Sequence, residues 1–190
     1  MKTVYRGVRI RGDLDDVRRI LDTGMDYYWK NAEESVNEIF RALERFHKIS
    51  KLGNTPLLRS HLLEACRTSR LQVWGTQDKN NANSYARFTP ELIFLVLRDV
   101  GIQKEVIKKY LSERFGEPYV VTFSVDLIDD GFCQLNTTYG RFIPPEMIQC
   151  IERVDVTQPD PHLAIFKDEK IIPEYKIRID RNEQRKIQVS

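Results

Sequence analysis

Tyr5-Arg6-Gly7 closes a short apolar strand at the start of the chain, and a second strand ends in Trp74-Gly75-Thr76-Gln77-Asp78 before running into Ala82-Asn83-Ser84-Tyr85-Ala86. Two strand ends that carry polar groups suggest a cleft. Arg6 offers a planar, permanently charged fork suited to anions. Gly7 offers a backbone that another group can approach closely, Thr76 a hydroxyl, and Tyr85 an aromatic face. Two of these also have an ordinary account: Arg6 as a strand-edge arginine in a solvated pair, and Tyr85 as a residue packing Ala82 and Ala86 into a helix interface. Trp74 reads as core. His47, His61 and His162 do not group with a serine or cysteine nucleophile, and the chain has no P-loop, no Rossmann glycine fingerprint and no His-Glu-x-x-His motif. Cys66, Cys133 and Cys150 are widely spaced, without a C-x-x-C pair or a neighbouring histidine, so no zinc site is expected.

The elements that must position these residues follow from periodicity and punctuation. Thr3 to Ile10 is β-branched and apolar and reads as a strand. Gly12-Asp13 then turns into a helix in which Leu14, Val17, Ile20 and Leu21 fall at helical spacing, with Asp13 as its cap and Gly24 as its stop. Tyr27-Tyr28-Trp29 reads as loop, either packed on the domain or acting as a lid. Val36, Ile39, Phe40, Leu43 and Phe46 place one apolar stripe on a helix from Ala32 to Phe46. Leu57 to Cys66 reads as a further helix, and Leu71 to Gly75 as the second strand.

Asp78 is placed to cap the helix that carries Ala82 and Tyr85. Thr89-Pro90-Glu91 opens the next helix with a hydroxyl, a proline and a first-turn acid, and its apolar Leu92 to Val100 predicts deep burial. Lys104 to Phe115 is amphipathic. Tyr119 to Leu127 is the strongest strand signal of the chain. Strands are expected around the Asp129-Asp130-Gly131 turn, including Phe132 to Asn136. A helical turn is expected from Pro145-Glu146 through Ile151, then a short strand at Val154-Asp155-Val156. Residues 157–190 read as an appended hairpin, strongest in Tyr175 to Ile179, with a polar tail.

Composition sets the frame. The 190 residues, 41% hydrophobic, suffice for one compact domain with a full core. Thirty basic against twenty-eight acidic residues give +2, too balanced to imply a polyphosphate track, though RNA or DNA stays open as a target. No signal peptide is read before the first strand, and no apolar run approaches the roughly 20 residues needed to span a bilayer. The expectation is a cytoplasmic protein with no membrane partner.

The order of an aromatic-Arg-Gly strand, a small-hydroxyl strand end with an Ala-x-x-Tyr-Ala helix, and a late strand near Pro144-Pro145-Glu146 resembles the ADP-ribosyltransferase fold over roughly residues 3–156. The resemblance implies an α+β domain over residues 1–156, with an ADP-ribosyltransferase-like split β-sheet core and helical insertions between the first two strands and after the second. It implies NAD as substrate, bound by Tyr5, Arg6, Gly7, Thr76 and Tyr85. Arg6 would meet the nicotinamide-side ribose or the pyrophosphate. Gly7 would pair its amide and carbonyl with the carboxamide, Thr76 would orient the acid, and Tyr85 would stack on nicotinamide. Cleavage of the nicotinamide bond gives the ribose oxocarbenium character, which nearby negative charge stabilises.

The acid itself departs from the pattern. A late-strand glutamate is expected about eight residues before a phenylalanine, and counting back from Phe142 reaches Gln134. Either Gln134 stands at the acid's place, naturally or as a silencing substitution, or Glu146 is the acid. Gly75-Thr76-Gln77 likewise matches the usual Ser-x-Ser only in part. The reading is a mono-ADP-ribosyltransferase, toxin-like and of the kind found in toxin-antitoxin or antiviral defence systems. Its partners would be a macromolecular acceptor, protein or RNA/DNA, and an antitoxin protein. Its rivals are a catalytically silent NAD-cleft or protein-binding module and an RNA 2′-phosphotransferase of the same fold.

Overall fold

The structure is a computed structural model, and it describes residues 2–26, 32–52, 55–68, 73–125, 133–135 and 142–157. Among these the chain is mixed α and β, with six α-helices and a three-stranded antiparallel sheet. Two compact units separate. The first contains most of the strands, the first and fourth helices and the end of the sixth; the second contains the second and third helices and the apolar part of the fifth.

The sheet of the first unit is built on β1 (Lys2–Ile10), β4 (Glu117–Val125) and β7 (Ile148–Arg153), in the order β1-β4-β7. The run with the strongest strand signal thus forms the central strand, where β-branched and aromatic residues pack on both faces. One face carries Val4, Val8, Ile10, Tyr119, Val121, Phe123 and Ile148, closed by Val17 of α1 (Leu14–Thr23). Asp13 caps α1 through a reciprocal pair with Asp16, and Gly24 ends it at φ 79°. Leu14 and Leu21 depart from their expected places in the apolar stripe: they are 66% and 38% exposed. The buried side of this ten-residue helix is set by Val17, with Ile20 packed beside it.

The other face is covered by α4 (Lys79–Phe88), whose Ala82 and Ala86 pack on Tyr5, Val120 and Val154. Asp78 caps α4 by accepting from the Asn80 amide at 2.8 Å, as its position predicts. The end of α4 is tied to β1 by one buried side chain. Arg9 donates to the carbonyls of Arg87 (2.8 Å), Thr89 (3.0 Å) and Gly116 (2.8 Å) and to the Ser112 hydroxyl (2.9 Å). A guanidinium has enough donors in one plane to satisfy all four acceptors.

Two small pairings complete the first unit: β2 (Met25–Asp26) with β6 (Phe142–Ile143), and β3 (Val73–Gly75) with β5 (Cys133–Leu135). Near the end of the described chain the expectation needs correction. The helical turn is limited to Pro145–Met147, and Ile148–Arg153 is a strand; Val154-Asp155-Val156 follows it outside any strand. The reason is non-local: β4 offers a full edge to which Ile148, Cys150 and Ile151 pair, and the Val154 amide still reaches the Pro118 carbonyl at 2.9 Å.

In the second unit, α2 (Ala32–Arg45) and α3 (Thr55–Thr68) pack together, and α2 buries Val36, Ile39, Phe40 and Leu43 as its spacing predicts. Arg59 of α3 bonds Asn37 and lies 5.5 Å from the centre of the Phe40 ring. In α5 (Glu91–Asp99) residues Ile93 to Leu97 are buried, and α6 (Lys104–Phe115) buries Ile107 and Leu111. The lid candidates Tyr27, Tyr28 and Trp29 and the expected hairpin at Tyr175 to Ile179 lie outside the described residues.

Candidate functional site at the β1–β3 junction

The end of β3 meets the middle of β1: Tyr5-Arg6-Gly7 does not close a strand but lies inside Lys2–Ile10, whose pairing with β4 continues to Ile10. Tyr5 and Thr76 exchange both backbone hydrogen bonds, from the Tyr5 amide to the Thr76 carbonyl at 2.7 Å and from the Thr76 amide to the Tyr5 carbonyl at 2.8 Å. Among the described residues this bridge is where the ladder between β1 and β3 begins and ends. Away from it, β1 pairs with β4 and β3 pairs with β5. An antiparallel pair would continue from Tyr5–Thr76 to Gly7 opposite Trp74, and there the ladder stops. Among the described residues no ladder pairing of β1 with β3 continues on the side of Gly7 and Trp74.

Strand alternation fixes which backbone groups of β1 turn towards β3. Tyr5 turns its amide and carbonyl towards β3, so Gly7, two residues on, turns its own the same way, while Arg6 turns its towards β4. Gly7, which is buried, thus turns its backbone donor and acceptor to the β3 side of β1. The absence of a Cβ at Gly7 has a cause of its own. A Cβ there would overlap the Ala82 carbonyl and the backbone of Ala86, so the close approach at this glycine is made by α4. Gly75 is likewise confined, with Val4 and the Tyr5 carbonyl over it.

Thr76 is buried, and its hydroxyl accepts from the Asp78 amide at 3.1 Å, which turns the chain from β3 into the cap of α4. The same residue thus holds β1 and starts the helix. The Tyr5 side chain packs beneath α4 with Ala82 and Ala86, so the junction receives its backbone. Lys79, on the first turn of α4, pairs with Glu152 of β7 at 2.6 Å. That hydrogen bond raises the lysine above its ordinary range against the effect of burial, with smaller contributions from Glu152, Cys150 and Tyr5 as charges. Tyr85 is half-buried between the two alanines in sequence, and its carbonyl accepts from the Thr89 amide.

Arg6 is half-buried, and strand alternation assigns it to the β1 face of Val4 and Val8. An acid that sequence reasoning treated only as a first-turn residue lies within its electrostatic reach. Burial pushes the Glu91 carboxyl above the ordinary carboxylate range, opposed by its own backbone amide, by the Arg6 guanidinium and by the Thr89 hydroxyl. Glu91 is the residue the sequence signal underrated: a first-turn glutamate is ordinary, and its nearness to Arg6 depends on tertiary structure.

The two candidates for the acid are placed differently. Gln134 sits on β5 directly opposite Trp74, two residues from the bridging Thr76; its side chain lies outside the described residues, as does that of Trp74. Glu146 is exposed on the Pro145–Met147 turn that leads into β7. Sheet order puts β4 and β1 between β7 and the Thr76 edge, roughly 14 Å at ordinary strand spacing. The junction therefore gathers Tyr5, Arg6, Gly7, Thr76 and the strand of Gln134, and leaves Glu146 on the far side of the sheet. Among the described residues no group of histidine, cysteine and acidic side chains is arranged to hold a metal, and no helix is long and apolar enough to cross a membrane. Comparison of the chain with family models, with curated proteins and with solved structures gave no match.

Proposed function

We propose that the chain binds NAD at the β1–β3 junction, and that it is an ADP-ribosyltransferase-like protein whose acid position is held by Gln134. The observation that carries this reading is the single Tyr5–Thr76 bridge. It joins the Arg6-Gly7 segment to the hydroxyl strand, and the Gly7 amide and carbonyl turn to that same side of β1. A carboxamide needs one donor and one acceptor side by side, and an extended glycine supplies both. Arg6, the neighbouring residue, would supply charge for the pyrophosphate. Gln134, on the strand paired with β3, keeps the size of a glutamate without its charge, so the chain as written should bind NAD and transfer ADP-ribose slowly. The acceptor would be a macromolecule, and the resemblance of the sequence motifs to toxin-like ADP-ribosyltransferases supports a role in antiviral or toxin-antitoxin systems.

Gln134 also favours a second reading, a silent module that retains the NAD cleft. Both readings require Arg6. Arg6→Ala should fold normally and weaken NAD binding by about 1.5–3 kcal/mol, the scale of a charge-assisted hydrogen bond to an ionised ligand. Titration calorimetry on the two chains checks this, and equal affinity would remove Arg6 from the site.

A further inference from the structure

No further inference is drawn: the strongest candidate, the side-chain cluster on the α4 face of the sheet in which the Cys150 thiol of β7 donates to the Thr122 hydroxyl at 3.3 Å beside the Lys79–Glu152 pair, rests on a lone cysteine, and no second feature among the described residues points to a ligand there.

Discussion

Gln134→Glu should convert a slow chain into an active one, with nicotinamide release from NAD rising by about 10²-fold or more, the scale of one preorganised electrostatic group at a transition state. The substitution changes charge and almost nothing else. Position 134 pairs across from Trp74, on the strand that leads to the Tyr5–Thr76 bridge, which puts its backbone two residues from the junction. The ribose gains positive character as the nicotinamide bond lengthens, and only the charged side chain rewards that change over the ground state. Glu146→Gln, on the exposed turn before β7, should leave turnover unaltered. The check is paired nicotinamide-release assays on the chain as written, Gln134→Glu and Glu146→Gln. Turnover already present in the first, kept in Gln134→Ala and lost in Glu146→Gln, would assign the acid to Glu146 instead.

Arg9→Ala should cost stability rather than chemistry, and cost a great deal. The side chain is 5% exposed and satisfies three carbonyls and one hydroxyl. Its removal leaves buried acceptors without donors at roughly 1–3 kcal/mol each, so a loss of at least about 3 kcal/mol is expected. Arg9→Met, which restores volume but no donors, should recover little. Arg9→Lys should recover only part, because an ammonium cannot reach four acceptors spread over a plane. Urea unfolding of the three variants measures this. A loss below about 1 kcal/mol for Arg9→Ala would mean that the α4–α5 corner is held by its packing and not by the guanidinium.

How much of this was legible in the chain differs from element to element. Caps and stops were readable because their chemistry is local: Asp13, Gly24 and Asp78 each act within a few residues of themselves. The stripe of α2 and the central strand β4 were readable from periodicity and β-branching. The strand β7 was misread because Pro145-Glu146 is a helix-start signal that here opens only a three-residue turn, and the pairing that makes Ile148–Arg153 a strand comes from β4, distant in sequence. Gly7 announced a close approach, but not to what; the answer, Ala82 and Ala86, lies in a helix seventy-five residues or more downstream. No local signal singled out Arg9, and Glu91 read as a dipole-complementing acid. The roles of both come from tertiary neighbours that no local pattern encodes.

The account stands or falls on what binds at the β1–β3 junction. Amide NMR of the labelled chain, titrated with NAD, addresses it directly because it reports by residue and needs no turnover. The account predicts saturable shifts at Arg6, Gly7 and Thr76, with the largest at Gly7, whose amide turns to the β3 side of β1. Saturable shifts confined to the α2–α3 unit, or no shift at any NAD concentration up to the millimolar range typical of weak ligands, would contradict it.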